Sequence, residues 1–156
     1  MFDARVEVDS EELQKYLSKI YRNLKTLKPF FIAIIPVLHG SIVANFREGG
    51  RPKKWKPLKP STIAGRMREG TWPGFHSAQP ILMAHGTLFK SIGTVRKIGT
   101  RSLEYGTNLE KAAYLQYGTK KMLARPFVLF QDEDIEQIVS YAAAFAFDPE
   151  TAKTLI

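Results

Sequence analysis

The stretch FREGGRPKKWKPL, residues 46–58, contains two glycines, two prolines, one of the two tryptophans of the chain and five of its 23 basic residues. Glycine and proline at this density interrupt helices and strands alike, which predicts a loop. The large apolar body of Trp55 has to be buried, either against its own domain or against a partner. We therefore interpret residues 47–60 as a basic Gly/Pro/Trp loop that projects from the domain.

The composition is that of one globular domain. The chain has 156 residues, 44% of them hydrophobic, and no cysteine. This length predicts a single domain over residues 1–156, and the absence of cysteine excludes disulfides, thiol catalysis and cysteine-ligated metal sites. The first residues are acidic where a signal peptide would be basic and apolar, and the longest apolar stretch, residues 29–38, is about half the length of a membrane-spanning helix. We expect a cytoplasmic protein without a membrane partner.

The formal charge of +8 is unevenly distributed. Between residues 47 and 69, eight basic residues face two acids, a net charge of +6. The eight are Arg47, Arg51, Lys53, Lys54, Lys56, Lys59, Arg66 and Arg68. Residues 132–150 contain six acids and no basic residue. Between neighbouring copies of the chain, this polarity would steer head-to-tail assembly.

Periodicity predicts helices near both ends of the chain. Residues 10–28 repeat apolar side chains at three- and four-residue steps, which indicates an amphipathic helix, and residues 132–147 show a second stripe of this kind. Residues 30–46 read as a helix that is kinked or broken at Pro36. Residues 61–67 have the length of a short helix, and residues 70–80 form another irregular loop.

Short strands are predicted between residues 88 and 130. Residues 91–98 and 101–105 indicate a hairpin, and residues 124–130 indicate a strand with Pro126 near its start. Residues 81–88 fit a strand or a helical turn, and residues 110–117 are more helical than extended. The expected fold class is α+β, with N- and C-terminal helices packed on a small, mostly antiparallel sheet and with long projecting loops.

No catalytic, cofactor or metal site is predicted. His39, His76 and His85 lack the spacing that places ligands on one helical face. The acids at residues 132–136 lie where a helix begins, so its dipole accounts for them. The glycines fit no phosphate-binding motif, and there is no nucleophile elbow. We expect a protein that is not an enzyme.

Nucleic-acid binding is the alternative that the residues leave open. The basic loop combines phosphate-pairing charge with Trp55, an aromatic ring that would stack on a base. The opposing interpretation is a solvated basic surface, since no helix-turn-helix or RNA-recognition signature accompanies the lysines.

Three segments in order carry a resemblance to a known family. The first is Phe46, Gly49, Gly50, Pro52, Trp55, Pro57 and Leu58 with Ser61 and Thr62; the second is Ile81, Leu82, Gly86, Leu88, Ser91 and Ile92; the third is Ala113, Tyr114, Gln116, Tyr117, Gly118, Met122, Ala124, Arg125, Pro126 and Phe127. Together they resemble the phage virion morphogenesis family, the tail-completion proteins of Mu-like and related contractile-tailed phages and prophages. One departure is a longer link between the first two segments, which contains Trp72.

The resemblance implies a structural virion protein without catalysis, at the head–tail junction or at the end of the tail. It implies a ring-forming homo-oligomer, with a hexamer favoured, that meets other neck or tail proteins, and it leaves open a contact with packaged DNA that passes through the ring. In this reading Trp55, Trp72, Gly118, Arg125 and Phe127 anchor loops or form interfaces. Gly118 would allow a tight turn, Arg125 would contact an acid, and Phe127 would be buried in the core or against a neighbour.

Overall fold

The fold is seen in a computed structural model, which describes residues 10–70 and 80–152. These residues form α1 (Ser10–Leu24), α2 (Lys28–Glu48), α3 (Pro60–Glu69), α4 (Thr87–Ser91), β1 (Val95–Ile98), β2 (Leu103–Gly106), α5 (Glu110–Tyr117), α6 (Asp132–Phe147) and α7 (Pro149–Ala152). The predicted α+β class is confirmed, with helices towards both ends of the chain and a small antiparallel sheet between them.

The predicted hairpin is present. β1 runs antiparallel to β2, with Val95 opposite Gly106 and Ile98 opposite Leu103. The first strand begins later than residue 91 because Ser91 ends α4 and Gly93 turns the chain at φ +90°. Residues 81–86, for which a strand was one reading, are turns and bends that lead into α4.

The strand predicted at residues 124–130 was wrong. This segment joins no strand ladder, so the sheet of the described residues is confined to the hairpin. Its backbone groups are bonded mainly to side chains from distant parts of the chain, as shown below. A strand-like composition therefore yields an irregular segment, with a bend at Val128, that has no neighbouring strand.

The helix α2 is the central element of the fold. It begins with a proline in its first turn and ends at Gly49, whose left-handed conformation (φ +71°) suits glycine. Pro36 removes one backbone donor, yet the helix is not broken there. The flanking residues Ile34, Ile35 and Ile42 are buried against other elements on both sides of the proline, which holds the two halves in place.

Because it continues through Pro36, α2 is long and apolar enough to cross a membrane by length and composition alone. Core helices of water-soluble proteins share these properties. Here α2 contributes side chains to both buried clusters of the protein and carries the buried polar residues Ser41 and Asn45, which contact other parts of the chain.

Two apolar clusters lie along α2. The larger one surrounds the fully buried rings of Phe46 and Phe127 and contains Trp55. The smaller one joins Ile34 of α2 to Tyr141 and Phe145 of α6. The partly buried β2 residue Leu103 packs against this second cluster, which links the sheet to the C-terminal helices.

The amphipathic helix α1 buries none of its residues. It packs against α6, where the Asn23 amide donates a 2.9 Å hydrogen bond to the carbonyl of Ala146. The apolar side chains of its predicted stripe remain largely in solvent: Leu13, Tyr16, Leu17, Tyr21 and Leu24. Periodicity predicted the helix correctly, but its apolar face is not covered by the residues that the structure describes.

Candidate functional site

The basic loop is attached to the domain through Trp55. The indole is buried, meets Phe46 edge-on with ring centroids 6.2 Å apart, and donates a 3.0 Å hydrogen bond from Nε1 to the Pro126 carbonyl. A Cβ on Gly50 would lie 2.8 Å from the indole Cδ1, so the ring needs glycine at this position. Of the two burial options for Trp55, the structure shows packing against its own domain.

Asn45 connects the loop, α2 and the segment at residues 124–131. Its fully buried amide donates from Nδ2 to the carbonyls of Phe127 at 3.0 Å and Leu129 at 2.7 Å. Its Oδ1 accepts a 2.9 Å bond from Arg51 Nε. A buried polar side chain is stable only when it is hydrogen-bonded in this way.

Arg51 belongs to the interior side of the loop. Besides Asn45, its guanidinium contacts the backbone carbonyl and hydroxyl of Ser41, both at 3.0 Å, and lies 3.6 Å from the Asp134 carboxylate. Asp134 also accepts hydrogen bonds from Ser41 Oγ and from the Gln131 backbone N–H. Arg51 therefore ties the loop to α2 and to the start of α6.

The side-chain amide of Gln116 in α5 forms hydrogen bonds with the backbone of the segment at residues 124–131. Its Oε1 accepts from the backbone N–H groups of Phe127 at 3.0 Å and Val128 at 3.1 Å, and its Nε2 donates to the Val128 carbonyl at 3.0 Å. One amide side chain thus satisfies three backbone groups. This shows how the backbone of this segment is satisfied without a strand beside it.

The remaining predicted contact residues are distributed over two surfaces. Arg47, Lys53, Lys54, Lys56, Lys59 and Arg68 are exposed, whereas Arg66 is half-buried. Lys54 pairs with Glu48 at 3.3 Å and Arg68 with Glu69 at 3.9 Å. Lys59 and Arg66 line a groove beneath the loop, together with Arg125, which the sequence had placed in a separate group.

Basic and apolar side chains line this groove together, and we call it the basic groove. It has a volume of about 780 Å³ and lies between the start of α3, the turn before α4, and α5 with the turn that follows it. Its basic residues are Lys59, Arg66, Lys111, Lys120, Lys121 and Arg125. Its apolar residues include Leu58, Leu82, Leu115, Met122 and Leu123. No acidic side chain is among the described residues that line it.

Two arginines are fixed in the wall of the groove. Arg125, itself buried, donates from Nη2 to the carbonyls of Lys56 at 3.2 Å and Pro57 at 3.3 Å. Arg66 donates to the carbonyls of Pro80 and Ile81. Burial lowers the pKa of Arg66, and the nearby positive charge of Arg125 lowers it further. Among the described residues no carboxylate forms an ion pair with Arg125, so the predicted contact with an acid is not made within this part of the chain.

Gly118 shapes the opposite wall. It ends α5 at φ +78° and ψ 178°, a conformation that is essentially restricted to glycine, and a Cβ there would lie 2.8 Å from the backbone nitrogen of Ala124. The turn that follows is closed by paired backbone bonds between Thr119 and Met122. This turn brings Lys120 and Lys121 to the groove.

Phe127 and Trp72 are the remaining predicted anchor or interface residues. Phe127 lies in the larger apolar cluster, 1% exposed. Trp72 and His76 lie outside the described residues.

Sequence reasoning missed Asn45, Ser41 and three of the four lysines of the groove. A signal for Asn45 was available, because an amide on an otherwise apolar helix requires a buried partner. Lys111, Lys120 and Lys121 had no such signal, since only the turn at Gly118 brings them close to Lys59 and Arg66. The site can bind an anionic and apolar ligand without covalent chemistry. Within residues 10–70 and 80–152, no cluster of three acidic or histidine side chains could hold a metal ion.

Comparison with known proteins identifies the family of this chain. The profile of the phage virion morphogenesis family matches residues 8–145, which include the Trp55 loop, the basic groove and most of α6. No curated protein and no solved structure matches the chain. Because the match extends over most of its length, the chain belongs to the phage virion morphogenesis family.

Proposed function

We propose that this protein is a structural ring component of a tailed-phage virion, at the head–tail junction or at the tail end, where it completes or terminates the tail or forms part of the neck. The family match over residues 8–145 carries the proposal. A homo-oligomeric ring, with a hexamer favoured, would contact neighbouring neck or tail proteins. The proposed role is one of contact and requires neither catalysis nor a cofactor.

The surface of the single copy supports assembly. Large apolar side chains are exposed on α1 and α6, including Tyr21 at 73%, Val139 at 60% and Phe147 at 59%. Contiguous apolar surface of this kind is normally covered in an oligomer or complex. The acid-rich α6 and the basic groove add opposite charges on separate surfaces, which suits contacts between copies in a closed ring.

Genetics with electron microscopy tests the role. We expect the protein in purified particles, and we expect a phage lacking its gene to accumulate unjoined heads and tails or tails of faulty length. Supplying the gene from a plasmid should restore joined particles. A protein that is absent from particles and remains monomeric at every concentration would contradict the proposal.

A second candidate function is DNA binding through residues 47–68. Lys53, Lys56 and Lys59 are exposed and have no ion-pair partner among the described residues, which favours contact with phosphates. The aromatic contribution predicted for this function does not hold, because the Trp55 ring is buried and its N–H is already bonded to Pro126. Any DNA contact would therefore be one of backbone charge.

Salt titration separates this candidate from the ring role. If the loop meets DNA, affinity should fall steeply with NaCl and the K53A/K54A/K56A variant should show a shallower salt dependence. The matched control is K15A/K19A/K25A, which removes three exposed lysines at or near α1. Equal binding by both variants would exclude the loop as a DNA contact.

A further inference from the structure

No acidic side chain is among the described residues that line the basic groove. Its apolar floor is formed by Leu58, Leu115 and Met122, and its walls hold six cationic side chains without an acid between them. Exposed lysines alone would not distinguish this surface from the rest of the protein. Here, however, two arginines are fixed by bonds to carbonyl groups and the turn after Gly118 is closed by backbone bonds, so the positive charge is held in place before any ligand arrives. Such a groove fits a segment that is both acidic and apolar.

One face of α6 has this chemistry. Asp132, Ile135, Glu136 and Val139 follow the spacing i, i+3, i+4 and i+7, which places them on one side of the helix. Ile135 is 49% and Val139 60% exposed, and both acids are exposed as well. Neither acid has an ion-pair partner among the described residues. We call these four residues the acidic face.

The opposite side of α6 fixes the helix in its own subunit. Tyr141 and Phe145 are buried in the smaller cluster, and Asp134 is bonded to Ser41 and close to Arg51. No residue of α6 lines the basic groove. The groove and the acidic face are thus two different surfaces of one copy, and a contact between them would be heterologous, the type of contact that generates rings when the rotation closes.

We propose that the basic groove of one copy binds the acidic face of α6 of the next copy, and that this head-to-tail contact builds the ring. Asp132 and Glu136 would pair with lysines of the groove wall, and Ile135 and Val139 would cover its apolar floor. The inference rests on the proposed ring function and adds which surfaces meet. Charge complementarity selects the second copy as the occupant, since the acidic stretch at residues 132–150 holds no basic residue.

Disulfide trapping tests the contact directly, because the natural chain contains no cysteine. Lys121 and Glu136 are exposed positions on the two surfaces. Oxidation of the K121C/E136C variant should give a ladder of covalent oligomers that ends at the subunit number of the ring. A mixture of K121C and E136C single variants should give a 1:1 heterodimer and no larger product. The control pair K15C/E104C, on exposed positions of α1 and β2, should give no ladder.

Charge reversal provides an independent measurement in the uncrosslinked protein. K120E/K121E should weaken self-association, measured by sedimentation velocity, by about a hundredfold, because like charges would then face each other. E136K should act in the same direction, and combining it with K121E should restore much of the loss. Glu136 lies beyond the first turn of α6, so its reversal leaves the helix start intact, and circular dichroism verifies the fold of each variant.

Four results would overturn the inference. They are a cross-link within one chain, an absent ladder in protein that assembles normally, reversals that change DNA affinity but leave assembly intact, and combined reversals that restore nothing. The ring function fails in a different way, through absence of the protein from particles. A protein present in joined particles whose groove variants still assemble would refute the proposed contact alone.

Discussion

Asn45 is the residue at which three parts of the protein meet. Its side chain binds the carbonyls of Phe127 and Leu129 and accepts a hydrogen bond from Arg51. These partners come from the segment at residues 124–131 and from the basic loop, neither of which has a strand to pair with. Specific side-chain bonds at this one position therefore replace the regular hydrogen bonding that a larger sheet would supply.

Replacing Asn45 should be costly for this reason. We expect Asn45→Ala to lower the free energy of unfolding by about 2 to 3 kcal/mol, because it leaves the buried carbonyl of Phe127 without a donor and Arg51 Nε without its acceptor. Urea denaturation measures the change. The control Asn108→Ala removes an exposed amide that bonds only Thr94 in the described structure, and it should cost under about 0.5 kcal/mol. Equal effects of the two substitutions would show that the Asn45 bonds contribute little.

Gly118 allows a similar comparison with a matched glycine. Gly118 has φ +78° and ψ 178°, and Gly70 has nearly the same angles, φ +82° and ψ 168°. A Cβ on Gly118 would lie 2.8 Å from the Ala124 nitrogen, whereas none of the described atoms lies within 4 Å of one on Gly70. Gly70→Ala therefore measures backbone strain alone, about 1 to 3 kcal/mol.

Gly118→Ala should lose more stability than Gly70→Ala, because the backbone of residues 122–124 must also move. Urea denaturation of the two variants gives the difference. The shifted turn should in addition displace Lys120 and Lys121 from the basic groove, which weakens self-association. If both alanine variants have the same stability, the close approach at Gly118 carries no energetic cost.

At the scale of elements, the segment at residues 124–131 shows how a local sequence pattern can predict a strand that does not form. Val128, Leu129 and Phe130 have the composition of a strand, and Pro126 suits a strand start. The segment forms no strand, and its partners are Gln116, Asn45 and Trp55, which are separated from it by 11 to 84 residues. No local pattern encodes such partners.

Gln116 gives a way to observe this pairing. Gln116→Ala should raise the amide hydrogen-exchange rates of Phe127 and Val128, because both lose their acceptor at Oε1. Gln116→Glu keeps a carboxylate oxygen as acceptor and loses only the donor to the Val128 carbonyl, so both amides should stay protected. Unchanged exchange in the alanine variant would mean that another group protects these amides.

The helices were the more predictable elements because their information is local. Apolar spacing predicted α1 and α6. Two aspects depended on distant contacts and were missed. The sequence could not show that the stripe of α1 remains exposed, nor that the turn after Gly118 would bring Lys120 and Lys121 near Arg66.

At the scale of the whole molecule, two kinds of surface are available for assembly. The stripe on α1 is apolar, and its contact would be driven by the burial of Leu13, Leu17 and neighbouring side chains. The basic groove and the acidic face have opposite charges, and their contact would be mainly electrostatic. These driving forces respond to salt with opposite signs.

Salt dependence of self-association therefore shows which surface dominates. We expect the association constant, measured by sedimentation velocity, to fall as NaCl rises from about 0.05 to 0.5 M, because the Debye length shortens and the charged contact is screened. Sodium sulfate strengthens apolar burial, so at matched ionic strength it should weaken assembly less than NaCl does. The variant K121E/E136K exchanges one charge across the proposed contact and should keep the same salt response. Association that strengthens with both salts would assign the ring contact to the apolar stripe of α1 instead of the groove.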